Sequence, residues 1–403
     1  MWSVWSADQN LNNEKRMSKR IYMDYAAATF LDSRVLESMM PYLGTRFGNP
    51  SSLHTEGRLA KEVVDSARKD IANMLSVLPD EIIFTGSGTE SAALALRGIA
   101  KTYPAGHIIT TSLEHAAVLE NARALKKEGY QIMVIDADQN GVVDPNQIVR
   151  AFRKDTVLVS VMYVNNEIGS IQPLSDIARV LRKERNRRKQ TGEHTPLYLH
   201  TDACQAPEYM PLFIPRLGVD LLTLNASKIY GPKGVGLLYK NRSVILEPLW
   251  QGGGQEQGFR SGTEYVAGIV GFASALRIAE KRKQKEYTRM TRLQLYFLKE
   301  IKRLMPRAVL QGPPLGALRA PNNINITIPG ISAETLVLYL DERGVAASAG
   351  SACASNKKNT QKDGVRFSMG RHTTHQDIDY TIRALCDSIK ILHGTEKNRQ
   401  NIY

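Results

Sequence analysis

The sequence predicts an α/β protein with a largely parallel sheet, and three observations carry that expectation. Short runs rich in β-branched residues recur along the first 240 positions, and stretches of helical periodicity separate most of them. Polar or glycine-rich residues follow several of these runs, where an open α/β sheet binds its ligands. No internal repeat or low-complexity tract interrupts the pattern.

Taken in order, residues 1–17 are polar and aperiodic apart from Trp2 and Trp5, and are expected to form a poorly ordered extension. Leu59, Val63, Ala67, Ile71 and Met74 recur at helical spacing and predict a helix over Arg58 to Leu75. The strand candidates are Glu81–Thr85, His107–Thr111, Gln131–Ile135, Thr156–Met162, Leu197–Thr201, Asp220–Leu224 and Val235–Tyr239. A long basic helix follows Gly268. Beyond it, Asn323–Ile328 and Gly344–Ser348 read as strands of a smaller α+β unit. The expected organisation is a large domain over 18–275, its opening residues packing on the small domain, and a small C-terminal domain over 276–403.

Composition bounds the function. A chain of 403 residues, 42% hydrophobic, can bury about three quarters of its unfolded surface. It holds no apolar run of membrane-spanning length, and its first residues lack the apolar core of a signal peptide, so a cytoplasmic location is expected. Cys204, Cys353 and Cys386 are too few and too scattered for a disulfide framework and show no metal-ligand spacing; reduced thiols and no metal are expected. The net charge of +13 is concentrated in Arg182–Lys189 and Lys281–Arg303. In the second run Leu293, Phe297 and Ile301 fall at helical spacing, so it reads as an amphipathic helix with a solvated face, or else as a docking surface for an acidic protein partner or for non-specific nucleic-acid contact. Nucleic-acid recognition is not expected, since no zinc-finger, RNP-type or helix-turn-helix signature is present.

Four stretches carry chemistry. Asn225–Gly236 places Lys228 between a strand and a turn punctuated by Gly231, Pro232, Gly234 and Gly236; burial there would lower its pKa and ready the amine for a Schiff base. Standing alone, Lys228 could equally be a solvated loop residue. Upstream, Asp202 ends a strand pattern with Gln205 three residues later. A carboxylate that keeps a pyridine nitrogen protonated and a lysine that holds an aldehyde are the two parts pyridoxal phosphate needs. The segment Gly86–Ser91 follows a strand and opens a helix, which suits a phosphate; it could also open a dinucleotide fold, but Ser91 stands where the third glycine belongs. His115 begins a helix near the same sheet edge.

The motifs IYMDYAAAT, FGNPSSLH, IIFTGSGTES, SLEHAAVL, VNNEIG, HTDACQ, KIYGPKG, GGGQEQGFRSGT, SAGSACAS and VRFSMGR occur in one order between about Ile21 and Leu392. With these the sequence resembles the cysteine desulfurases, pyridoxal-phosphate enzymes of the class V aminotransferase group. The resemblance implies the fold-type I architecture, a homodimer, L-cysteine as substrate and a protein that accepts or scaffolds the sulfur. It implies that Lys228 binds the cofactor and moves a proton, that Gly88 and Thr89 bind its phosphate, and that His115 stacks on its ring with possible acid–base duty. Asp202 would hold the ring nitrogen, Gln205 the 3-oxygen, Asn166 the cofactor and the substrate carboxylate, and Thr263 the phosphate across a subunit interface. Cys353, among small residues, would take up sulfur as a persulfide, and Arg366 would hold the substrate carboxylate. Selenocysteine lyase or another β-eliminating lyase is an alternative on the same scaffold, and a sulfur-trafficking scaffold without turnover is a third.

Three departures from the family pattern stand out. Asn225 and Ser227 replace a serine and a histidine at the expected phosphate site, removing an imidazole. Gln257 replaces a basic residue in the glycine-rich segment. Between Cys353 and Arg366 there are 13 steps, fewer than in the branch that shares the SGSAC motif, and Lys357, Lys358 and Lys362 there would attract an acidic partner. Cys204 carries no assigned role, and Cys386 is expected in a helix core.

Overall fold

The computed structural model describes residues 20–350 and 364–400, the side chains of 394–400 excepted. Cys353, Lys357, Lys358 and Lys362, and the extension over 1–17, lie outside the described residues. In chain order the elements are β1 (Ile21–Tyr22), α1 (Ser33–Leu43), α2 (Thr55–Leu75), β2 (Ile82–Thr85), α3 (Gly88–Thr102), β3 (His107–Thr111), α4 (Ala116–Lys127), β4 (Gln131–Ile135), α5 (Pro145–Ala151) and β5 (Thr156–Ser160). There follow α6 (Leu174–Gln190), β6 (Tyr198–Asp202), α7 (Ile214–Leu217), β7 (Leu221–Asn225), β8 (Gly236–Lys240), α8 (Val266–Leu304), β9 (Val309–Leu310), β10 (Asn323–Thr327), α9 (Ala333–Glu342), β11 (Val345–Ala346), β12 (Ser348–Ala349), β13 (Val365–Ser368) and α10 (His375–Gln400).

Among the described residues, seven strands form the central sheet in the order β2-β8-β7-β6-β5-β3-β4. All neighbours run parallel except β8, which is antiparallel to both β2 and β7. Every residue of β3, β5, β6 and β8 is buried, as expected of strands covered by helices on both faces. The edge strand β4 instead leaves Met133 and Val134 exposed.

A second sheet, β12-β13-β10-β9, is antiparallel throughout, and α9 and α10 pack together beside it. The single strand expected over Gly344–Ser348 is two: Val345–Ala346 pairs with β1, and Ser348–Ala349 turns onto β13. The chain changes sheets at Ala347, which no uninterrupted β-run of small residues discloses. Near the N-terminus, β1 pairs with β11, and Asp24 bridges to Ser368.

The helix α8 runs unbroken for 39 residues and spans position 275. It packs on α1 and α2 and also reaches β10 and α10. Its Phe272, Leu293, Phe297 and Ile301 are buried, each worth roughly 1.5–3 kcal/mol of transfer free energy. The strands β6 and β7 end at Asp202 and Asn225 on one edge of the central sheet, and the β2–β8 pairing brings Thr85 to Gly236 at that edge too.

Candidate active site

At the end of β7 the Asn225 side chain accepts from Ser227 N at 3.1 Å and caps a short 3-10 turn over Ala226–Lys228. Ile229 N and Gly231 N both return to Ala226 O, closing the turn on itself. Lys228 Nζ points to the N-terminal segment, donating to Ala27 O at 2.5 Å and Ala26 O at 3.2 Å. Burial holds this amine below the ordinary lysine range; Cys204, Asp202 and Asp24 pull it back, while Arg366 adds to the depression. Gln205 Nε2 shares the Ala26 carbonyl at 2.9 Å.

Asp202 is buried, and its Oδ1 accepts from Cys204 N at 2.9 Å. Burial, and then the Asp202 charge, push the Cys204 thiol well above its usual range.

Ser87 caps α3 by accepting from Glu90 N at 3.1 Å, and Glu90 reaches back to Gly86 N at 2.7 Å while Arg260 Nε holds it at 2.9 Å. Gly88 is buried at the start of this helix. A β-carbon there would sit 2.9 Å from Cys204 Sγ and 3.4 Å from Asn225 Cβ, so glycine is required by close approach. Thr89 beside it is exposed. Ser227 Oγ is 3.0 Å from Asn225 Oδ1, so the two replacements form a pair at the cradle.

His115 caps α4, its Nδ1 accepting from Ala117 N at 3.1 Å, and the ring is exposed. The preceding Glu114 is buried: Oε1 accepts from Met162 N at 2.6 Å, whereas Oε2 has no partner among the described residues. Burial pushes this carboxyl well above the usual range, with the Asp202 charge adding to the effect.

Arg366 on β13 donates Nη1 to Asn166 O at 3.0 Å and Nη2 to Asp24 Oδ1 at 2.7 Å; its buried Nε has no partner among the described residues. Asp24 also accepts from Ser348 Oγ at 3.2 Å. Sequence reasoning missed Asp24 as a site residue, although the IYMDYAAAT motif displays it. The structure thus groups Lys228, Asp202, Gln205, Gly88, Asn225 and Ser227 around one turn, with Arg366 and Asn166 joined beside it. Thr263 is exposed on the loop before α8. Gln257 adopts a left-handed conformation, φ +60°, next to Glu256, which is bound by Arg68 at 2.7 Å. Cys386 is partly buried against the core, as expected.

The class V aminotransferase family matches residues 21–381. The cysteine desulfurase IscS of Dictyoglomus turgidum is 40% identical over 384 residues, which is 92% of this chain and 94% of that relative. Among solved structures, a NifS-like protein superposes with a TM-score of 0.85 at 33% identity, over 93% of this chain and 100% of that one. SspA, solved in complex with cysteine, matches with a TM-score of 0.71 at 30% identity, over 87% of this chain and 98% of that one. The chain belongs to the class V aminotransferase family. Within that family it is a cysteine desulfurase, an enzyme that removes sulfur from cysteine.

Proposed function

We propose that the enzyme uses pyridoxal 5'-phosphate, carried by Lys228, to convert L-cysteine and the Cys353 thiol into L-alanine and a Cys353 persulfide. The observation that carries this reading is the convergence of three features at one sheet edge: a partly buried amine of lowered basicity, the buried carboxylate of Asp202, and a glycine-crowded helix N-terminus. These donors fit the cofactor's aldehyde, ring nitrogen and phosphate. When bound, the cofactor supplies an electron sink beside the substrate's Cα.

The protein's own groups do the rest. Asp202 would keep a proton on the ring nitrogen, His115 would lie against the ring, and Gln205 would donate to the 3-oxygen. Gly88, Thr89, Asn225 and Ser227 would hold the phosphate. Arg366 and Asn166 fix the substrate carboxylate, which sets the Cα–H bond toward Lys228 Nζ, and the neutral amine takes that proton. The Cys353 thiolate attacks the substrate sulfur; the S–S bond forms as the C–S bond breaks, and the C–S electron pair stays with the substrate's β-carbon, which takes up a proton to become the methyl group of alanine.

The working enzyme is a cytoplasmic homodimer in which Thr263 reaches the phosphate of the partner's site. The exposed apolar residues Leu36, Met40, Leu43, Phe47 and Leu53 support a second copy covering that stretch. Division into a large domain over 18–275 and a small one over 276–403 is part of the same reading. The persulfide sulfur then passes to an acceptor protein for iron–sulfur cluster assembly or tRNA thiolation.

The test is an absorbance spectrum before and after L-cysteine, with sulfide and alanine assayed alongside. Lys228→Ala should remove the visible cofactor band, and Cys353→Ser should keep the band while ending persulfide formation. Sulfide release at the wild-type rate from Cys353→Ser would favour the lyase, and cofactor binding without alanine would favour the scaffold.

A further inference from the structure

The turn that carries Lys228 ends on Tyr230, whose φ of +62° is a left-handed conformation that a tyrosine keeps only when its surroundings impose it. Those surroundings come from two directions. From the N-terminal segment, Thr29 Oγ1 accepts from Tyr230 N at 2.7 Å and donates to Ser227 O at 3.0 Å, and Asp32 N donates to Tyr230 O at 3.1 Å. From the C-terminal part, the Arg371 guanidinium lies 4.1 Å from the Tyr230 ring centroid and Arg371 N donates to Tyr230 Oη at 2.7 Å.

Arg371 is itself fixed on every side. Its Nη2 and Nε bond Glu208 at 2.5 and 3.1 Å, and its Nη1 bonds Asp32 at 3.2 Å. The preceding Gly370 leaves no room for a side chain: a β-carbon would meet Tyr230 Oη at 2.5 Å. Arg289 on α8 clamps the same turn through Gly370 O at 2.9 Å and Thr373 O at 2.7 Å. A small pocket, partly open to solvent, borders the same turn and is lined by Lys228, Tyr230, Glu208 and Tyr209.

We infer that Arg371 is a positioning residue for the cofactor lysine, acting through its stack on Tyr230 to keep the Ala226–Tyr230 turn closed and the Lys228 amine in its desolvated place. The inference rests on the proposed role of Lys228. Arg371 touches neither substrate nor cofactor in this account. The groups that face the amine are Asp202 at the end of β6 and Cys204 just after it, Arg366 on β13 and Asp24 on the N-terminal segment; all four remain when Arg371 is replaced. Loosening the turn therefore changes chiefly the hydration of the amine, which raises its affinity for a proton.

The experiment compares Arg371→Met, Tyr230→Leu, Tyr230→Phe and, as a control, Arg188→Met. Arg188 is a buried cation on α6, held by the carbonyls of Thr156, Thr195 and Arg153 away from the lysine turn. Full-length protein is freed of cofactor, and the rate at which pyridoxal phosphate restores the visible band is followed against pH; borohydride reduction and peptide mass spectrometry confirm attachment at Lys228. Thermal midpoints are measured in parallel.

Arg371→Met and Tyr230→Leu should each move the pH midpoint up by about one unit, with roughly a tenfold slower rate below it. Tyr230→Phe, which keeps the ring and loses the hydroxyl, should shift it less. Arg188→Met should lower the thermal midpoint and leave the pH midpoint in place. A wild-type pH midpoint in Arg371→Met, or an equal shift in Arg188→Met, overturns the inference. If Arg371→Met does not fold, an unshifted Tyr230→Leu overturns it equally. Failure of wild-type protein to carry the band on Lys228 would instead remove the functional reading itself.

Discussion

Arg366 Nη2 and Asp24 Oδ1 are 2.7 Å apart, so the guanidinium we propose for the substrate carboxylate already holds a carboxylate of the protein. Its other fork nitrogen is fixed by Asn166 O, and its Nε is free of partners among the described residues. A substrate carboxylate must share this fork with Asp24. Asp24→Asn keeps the shape and removes the competing charge, so the KM for L-cysteine should fall. Arg366→Lys loses the bidentate geometry and should raise KM at least ~10-fold, about 1.4 kcal/mol, with the cofactor band intact. In the double variant the gain from Asp24→Asn should vanish. Steady-state kinetics on the three proteins decide it; an increased KM in Asp24→Asn would show that Asp24 chiefly orients Arg366.

The Asn225–Ser227 pair predicts weak hold on the cofactor phosphate. Ser227 Oγ is engaged with Asn225 Oδ1, leaving neutral donors where the family places an imidazole. Asn225→Ser combined with Ser227→His should lower the dissociation constant for pyridoxal phosphate about tenfold, the scale of one charge-assisted hydrogen bond at ~1.5–3 kcal/mol after partial solvent screening. Equilibrium titration of cofactor-free protein measures this. An unchanged constant would mean that the pair already supplies what the imidazole would.

These contacts mark where the sequence was legible and where it was not. The seven central strands, and the strand-end positions of Lys228 and Asp202, follow from periodicity, because a parallel sheet buries both faces and gathers its ligands at one edge; the role given to Gln205 came from the resemblance alone. Pairing partners were not legible. The run Arg182–Lys189 read only as a concentration of positive charge, yet Arg188 is 2% exposed and bound to carbonyls, Arg185 holds Asp220, and Arg187 holds Glu184 and Glu193. Apart from Glu184, which lies on the same helix, those acceptors lie on other elements or in the loop after α6, and composition cannot show them. The same holds for Asp24 and Arg366, 342 positions apart, and for Tyr230, whose left-handed backbone no local rule for tyrosine predicts.

Gly88 and Cys204 should be coupled. Gly88→Ala brings a β-carbon within 2.9 Å of Cys204 Sγ, and the short cysteine side chain has little freedom to retreat. The helix start must shift, costing ~1–3 kcal/mol of stability or cofactor binding. Cys204→Ala removes the obstructing sulfur, so Gly88→Ala with Cys204→Ala should recover most of the loss. Additive losses across this double-mutant cycle, measured by thermal midpoint and cofactor titration, would place the strain elsewhere.

His200 gives a pH dependence of definite sign. It lies on β6, fully buried, with Ser160 Oγ at 2.8 Å and Thr223 Oγ1 at 3.0 Å on its two ring nitrogens, and burial depresses its pKa to about 3. The unfolded chain binds a proton there near the ordinary histidine value of 6.5, so the folded state is penalised as pH falls from 6.5 toward 3 and the full stability is present above that window. The slope is ~1.4 kcal/mol for each pH unit within it. Glu114 runs the other way: its raised pKa favours the folded state in acid and loses that contribution as pH climbs above 4.5. Comparing wild type with His200→Gln cancels Glu114 and isolates the histidine. The variant should be the less stable protein at pH 7.5, by ~1–3 kcal/mol for the disturbed hydrogen bonds, and should draw level with or overtake the wild type between pH 5 and 4. Thermal midpoints at half-unit steps from pH 7.5 to 4 test this; a constant gap across that range would mean that His200 protonates in the folded state as readily as in the unfolded one.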